Sequence, residues 1–172
     1  MKKLILCGYM GSGKTTIGSI LAKNVDLPFY DLDQLIEQQT NQSVLEIFKE
    51  RGEIFFRKRE HSIFSEMMRS NESFVLSLGG GTPAYANNHL LLNGSQVTSV
   101  YLKASINTLY DRLVIENEKR PLLAEKSAEE MKEIIAKHLF ERNFYYLQSG
   151  FTISVDGKDT TTIVSEILQK LT

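Results

Sequence analysis

The sequence predicts an α/β fold, a parallel sheet with helices on both faces, and three observations predict it. Apolar runs at Leu4–Cys7, Phe74–Leu78, Val97–Leu102 and Phe151–Val155 are separated by stretches of helical periodicity. Runs without polar alternation belong to strands covered on both sides. The first run leads directly into Gly8-Tyr9-Met10-Gly11-Ser12-Gly13-Lys14-Thr15 and then a helix, the strand–loop–helix setting of a phosphate-binding P-loop. Finally, 172 residues with 42% apolar and 24% charged side chains suit a single domain, 1–172, with its own core.

The elements follow in order. The first helix turns Ile17, Ile20 and Leu21 inward and Lys23 to water, and Pro28 stops it. Phe29-Tyr30-Asp31 is a short extended piece. Asp33 stands before the helical Gln34-Leu35-Ile36-Glu37. Ser43-Val44-Leu45-Glu46 is a capping box that opens a long helical stretch to Met68, bent or broken at Gly52. Ser105 caps a helix carrying Ile106, Leu109 and Leu113. A second capping box is Ser127-Ala128-Glu129-Glu130, and Asp159 or Thr160 caps the last helix, with Ile163, Ile167, Leu168 and Leu171 inward. Between two good helices, Ile115 to Lys126 is charged, aperiodic and interrupted by Pro121. It reads as a flap closing over a phosphoryl transfer or as a solvated loop.

Composition excludes several classes. A net charge of −1 supplies no basic field for nucleic acid, so anion affinity must be local. The single cysteine, Cys7, rules out an internal disulfide and reads as a buried structural thiol. The apolar stretch after Met1-Lys2-Lys3 ends at the glycine loop, too short for a signal peptide or a membrane span. A cytoplasmic protein without a membrane partner is expected. His61, His89 and His138 show no zinc spacing and read as surface or packing residues.

The P-loop implies a nucleotide: its main-chain N–H groups and the helix N-terminus cradle phosphates, Lys14 reaches the β and γ groups, and the Thr15 hydroxyl binds Mg²⁺. Asp31 and Asp33 end the second strand, where ligands gather in open α/β sheets. Two residues apart in extended chain, they face one side; the alternative is that Asp33 only caps the following helix. Gly52-Glu53-Ile54-Phe55-Phe56-Arg57-Lys58-Arg59-Glu60 puts Arg57 and Glu60 on one helical face beside the buried Phe56, Ile63 and Met67. An Arg fork suits a carboxylate ligand, and a surface ion pair worth about 0–1 kcal/mol is the plainer alternative. Gly79-Gly80-Gly81 offers bare main chain after a strand, for a ligand or a tight turn. Arg120-Pro121-Leu122-Leu123, Arg112 and Arg142 are each weak alone.

Together and in this order, these clusters resemble shikimate kinase over nearly the whole chain. The P-loop through Gly18 looks like the family's opening signature. Asp31 and Asp33 look like its F-x-D-x-D element, Gly52-Glu53 with Phe56-Arg57 and Glu60 like its G-E-x-x-F-R-x-x-E segment. Gly79-Gly80-Gly81 looks like its glycine triplet and Arg120-Pro121-Leu122-Leu123 like its lid. The resemblance implies a nucleoside-monophosphate-kinase-like P-loop fold with five parallel strands in the order 2-3-1-4-5, substrate-binding helices at about 33–61 and a lid at about 112–126. It implies ATP bound by Gly11, Ser12, Gly13, Lys14, Thr15, Thr16, Arg112 and Arg120, and shikimate held by Asp33, Arg57, Gly79, Gly80, Gly81 and Arg142. Mg²⁺ would sit on Thr15 and near Asp31. Lys14, Asp33 and Arg120 would be catalytic, and the protein a monomer. Two departures stand out: Lys158 is only a stand-in for the adenine contact expected after the last strand, and Asn143-Phe144-Tyr145 replaces a proline-containing segment after Arg142.

The expected activity is phosphorylation of the 3-hydroxyl of shikimate by ATP, on the route to aromatic amino acids. The rivals are another small-molecule kinase of the same fold, acting on gluconate or a nucleoside monophosphate, and a nucleotide-binding regulatory module. A phosphorylated acceptor would want several converging arginines and a neutral sugar mainly hydroxyl partners. The GTPase element N-K-x-D is absent.

Overall fold

The computed structural model describes residues 2–117 and 126–171. Five strands, β1 (Lys3–Cys7), β2 (Phe29–Asp31), β3 (Phe74–Ser77), β4 (Val97–Lys103) and β5 (Phe151–Ser154), form one sheet of order β2-β3-β1-β4-β5. All four pairings are parallel, the order and direction that the resemblance implied. Six helices connect or flank them among the described residues: α1 (Lys14–Val25), α2 (Leu32–Thr40), α3 (Val44–Arg69), α4 (Ile106–Asn117), α5 (Ala128–Tyr146) and α6 (Thr160–Leu171).

The central strand shows why the apolar runs lack alternation. Successive side chains of β1 point to opposite faces. Leu4 and Leu6 enter a core with Ile17, Leu21, Leu109, Ile163 and Ile167 from α1, α4 and α6. Ile5 and Cys7 enter a second core with Ile36, Phe56, Phe64 and Tyr146. Both faces are covered, so every position from Leu4 to Cys7 is apolar. The Cys7 thiol lies 3.0 Å from Ser149 Oγ, and burial pushes its pKa up to about 11, so it stays protonated.

Both capping boxes form, Ser43 with Glu46 and Ser127 with Glu130. Ser105 caps α4 at the Thr108 N–H, and Asp159 caps α6 at the Thr162 N–H. In α3 the chain kinks at Gly52, whose φ of 81° and ψ of 170° leave the helical region. A Cβ there would meet nothing within 4 Å, so the requirement is for the glycine conformation and not for space.

Two expectations need correction. Asp33 is not in extended chain. Its neighbour Leu32 opens α2, and Asp31 is the cap, its Oδ1 accepting from the Asp33 and Gln34 N–H groups. The carboxylate directly before the first helical residue can accept from the free N–H groups of the first turn, and Asp33 is already inside that turn. The flap also starts later than Ile115, because α4 continues to Asn117. The rest of the lid, with Arg120, lies outside the described residues.

Candidate active site

The site lies beyond the carboxyl ends of β1, β2 and β3. A cleft of about 540 Å³ is lined by Gly11, Gly13, Lys14, Thr15, Thr16, Asp31, Asp33, Gly79, Gly80, Arg112 and Lys158, among others. On its P-loop side, Gly11 and Gly13 take φ of 80° and 96°, a left-handed turn that lets consecutive N–H groups face inward before α1 begins. Lys14 is buried, and its ammonium donates to the carbonyls of Gly8 at 2.8 Å and Tyr9 at 2.9 Å. Desolvation lowers its pKa to about 8, against the partial compensation of Cys7, Asp33 and Asp31 nearby.

Opposite the loop, the Thr15 hydroxyl donates to Asp31 Oδ2 at 2.8 Å. One short hydrogen bond thus joins the start of α1 to the end of β2 with two hard oxygens at the mouth of the cleft. Among the described residues no three His, Cys, Asp or Glu side chains gather to hold a metal alone. A hydroxyl and a carboxylate beside a phosphate loop suit a cation that keeps several waters and shares the substrate's oxygens. Arg112 reaches across from α4, its Nη1 donating to the Gly11 carbonyl at 3.1 Å. Lys158 borders the same region, but its ammonium pairs with Glu166 at 2.7 Å. Ser12 is wholly buried within the loop, and among the described residues its hydroxyl has no hydrogen-bond partner.

The other side of the cleft is organised by the glycine triplet. A Cβ on Gly79 would lie 2.7 Å from Glu60 Oε2 and 3.3 Å from Asp33 Oδ1. One on Gly80 would lie 3.5 Å from Arg142 Nη1, and one on Gly81 would overlap the Arg57 guanidinium, 2.7 Å from its central carbon. Three consecutive residues therefore touch site side chains; a Cβ is excluded by them at Gly79 and Gly81, while at Gly80 it would meet Arg142 at ordinary contact distance.

Arg57 is not a surface ion pair. Its Nη1 donates to Glu60 Oε1 at 2.7 Å, Glu60 has no exposed surface, and the Arg57 side chain is 15% exposed. The other Glu60 oxygen accepts from the buried Thr82 hydroxyl at 2.7 Å. Both oxygens of a buried carboxylate are thus occupied, fixing the guanidinium above the Phe56 ring. Arg142 lies over the ring of Tyr9, 5.7 Å from its centroid, and the Tyr9 hydroxyl pairs with His138 Nδ1 at 2.8 Å.

Asp33 stands where the two sides meet. Burial, then the nearby carboxylates Asp31 and Glu60, raise its pKa to about 6, against the pull of Lys14 and Arg57. Among the described residues its buried Oδ1 has no hydrogen-bond partner. A carboxylate oxygen in that state is an acceptor waiting for a donor.

The structure therefore brings Asp31, Asp33, Gly79, Gly80 and Arg112 to one cleft around Lys14 and Thr15, with Arg142 against Gly80 and Arg57 against Gly81 at its edge. Sequence reasoning missed Thr82, Tyr9 and Tyr146 as supports, and it left Glu60 as a possible surface partner. Two signals were available: Thr82 follows the triplet directly, and Tyr146 stands four residues after Arg142, on its helical face.

A family model for shikimate kinase matches residues 10–172. The shikimate kinase of Flavobacterium psychrophilum is 54% identical over 167 residues, covering 97% of each chain. The solved shikimate kinase of Bacteroides thetaiotaomicron superposes with a TM-score of 0.89 at 33% identity, covering 99% of this chain and 98% of that one. The shikimate kinase of Acinetobacter baumannii, solved in complex with shikimate, gives a TM-score of 0.85 at 30% identity, covering 99% and 93%.

Proposed function

The chain belongs to the shikimate kinase family, and we propose from its cleft that it transfers the terminal phosphoryl group of ATP to the 3-hydroxyl of shikimate, releasing shikimate 3-phosphate and ADP. Its fold is the P-loop fold of the nucleoside-monophosphate-kinase type. The observation that carries the reaction is the Asp33 oxygen, without a partner among the described residues and buried between an anion-binding loop and a glycine wall that carries two arginines. A hydroxyl donated to that oxygen, and a carboxylate on the same small ring gripped by Arg57 and Arg142, complete all three groups at once.

The main-chain N–H groups from Gly11 to Thr16 wrap the phosphates, and the Lys14 ammonium turns from the Gly8 and Tyr9 carbonyls to the β and γ oxygens. Asp33 orients the 3-hydroxyl and accepts its proton as the oxygen attacks phosphorus and the bond to ADP breaks. Arg112 borders the adenine. Arg120, outside the described residues, is assigned by its motif to the charge that develops on the transferring group. Thr15 and Asp31 would hold Mg²⁺, the second through water; when bound, the ion neutralises charge on the β and γ oxygens. Catalysis in this site is mostly positioning and charge neutralisation. In this reading the chain acts as one kinase domain, as a cytoplasmic monomer, without a nucleic-acid or membrane partner.

A coupled assay of ADP release with ATP, Mg²⁺ and a panel of acceptors tests this. Turnover is expected with shikimate and not with gluconate or nucleoside monophosphates. Faster turnover with either of those than with shikimate would overturn the assignment.

A further inference from the structure

The acceptor end of the cleft is floored by main chain, and a side chain that takes no part in the chemistry holds that main chain in one orientation. Tyr146 is the last residue of α5 and has no exposed surface. Its hydroxyl donates to the Gly80 carbonyl at 2.5 Å and lies beside the Arg142 guanidinium. Its ring is packed against Tyr101, with centroids 5.0 Å apart, and Tyr101 in turn bonds Asn143 of the same helix at 3.4 Å. The tyrosine is thus fixed from behind and presents one polar atom to the triplet.

In a planar trans peptide the carbonyl and the following N–H point in opposite directions. The bond that draws the Gly80 carbonyl toward Tyr146 therefore turns the Gly81 N–H away from it. Among the described residues that N–H donates to no protein acceptor. A peptide between two glycines reorients at little steric cost, so its orientation needs an outside constraint. The Thr82 N–H closes the turn onto the Gly79 carbonyl at 3.2 Å and the Thr82 hydroxyl bonds Glu60, but a turn of this kind closes with its central peptide in either orientation, and the bond to the Gly80 carbonyl itself comes from Tyr146.

We propose that Tyr146 is a positioning residue for the acceptor: it clamps the Gly80–Gly81 peptide so that the Gly81 N–H faces the cleft as a hydrogen-bond donor to an oxygen of the bound hydroxy acid. The same contact keeps that donor in register with Arg142, so donor and guanidinium meet the acceptor together. The inference rests on the acceptor site as read above and adds a specificity element to it.

Tyr146→Phe keeps the ring and its packing and removes the hydroxyl that bonds the Gly80 carbonyl and lies beside the Arg142 guanidinium, so the amide measurement below separates the clamp from Arg142. By calorimetry its dissociation constant for shikimate should rise about tenfold, while that for a non-hydrolysable ATP analogue stays within about twofold. An unchanged shikimate constant, or equal weakening of both ligands, would overturn the proposal. A second measurement uses the wild-type protein alone and so does not depend on the variant folding. On titration with shikimate, the Gly81 amide cross-peak in a ¹H–¹⁵N spectrum should be among the most shifted. A Gly81 amide that stays still while the guanidinium signals of Arg57 and Arg142 respond removes the clamp. A wild-type protein that neither binds nor phosphorylates shikimate removes the functional reading and this inference together. Turnover of shikimate by the wild type with unimpaired binding by Tyr146→Phe removes the inference alone.

Discussion

The two sides of the cleft are built differently. The nucleotide side is one contiguous loop, residues 8–16, whose binding groups are main-chain N–H groups set by glycine conformations and by the start of α1. The acceptor side draws Asp33 from α2, Arg57 from α3, Arg142 from α5 and the triplet after β3. Its binding groups are side chains and the main chain of the triplet, and most are held by another buried side chain: Glu60 and Thr82 under Arg57, Tyr9 under Arg142, Tyr146 under the triplet. A loop carries its function in its own backbone, whereas an assembled site depends on supports remote in sequence. Damage should therefore separate, with changes on the loop side reading out in turnover and changes on the other side, the proton acceptor Asp33 apart, in acceptor affinity.

The largest effect tests the loop side. Lys14→Ala should lower kcat about 100- to 1000-fold at saturating ATP and shikimate, the range for removing one charge-stabilising donor from a transition state. Shikimate affinity should hardly move. A near-normal rate would take the lysine out of the chemistry. Next in size is Arg57→Ala. It removes half of the acceptor's carboxylate grip and leaves Glu60 buried without its cation, so shikimate binding should weaken about 100-fold, within the range for breaking a buried charged pair. The affinity for an ATP analogue should stay within about twofold. Equal loss of both ligands would erase the division between the two sides.

That division also explains how far the sequence could be read. The P-loop was legible residue by residue, because its chemistry follows from adjacent positions. The strands and the central place of β1 were legible from unbroken apolar runs. Arg57 and Glu60 were not, since a helical spacing of three describes an exposed pair and a buried one equally well. Only the packing of α3 against the sheet decides between them. Asp31 and Asp33 were grouped correctly for the wrong local reason: the chain turns into α2 between them, and the cap at Asp31, not extended alternation, aims both at the cleft. Tyr146 and Thr82 escaped notice because a support has no signature of its own; it acquires meaning only beside the group it holds.

The smallest effect concerns stability and turns on Asp33. In the folded chain this carboxyl keeps its proton up to about pH 6, whereas an unfolded aspartate releases it near 3.9. Between those values the folded state binds more protons than the unfolded one, so stability falls as pH rises through that window. The penalty is fully present above about pH 6 and absent below about pH 4. Asp33→Asn removes the ionising group and with it the penalty. In the absence of nucleotide and Mg²⁺ the variant should be more stable than the wild type at pH 8 by about 1–3 kcal/mol, seen as a rise in Tm of about 2–4 °C per kcal/mol. At pH 4 the gain should vanish. Turnover should be lost at every pH, because the amide cannot take the proton of the attacking hydroxyl. A gain that persists at pH 4 would mean that packing, not charge, separates the two proteins, and no gain at pH 8 would mean that Asp33 carries no desolvation penalty. The expected pairing, more stable and inactive, follows from the acceptor side keeping a buried carboxylate short of a partner until a hydroxyl arrives.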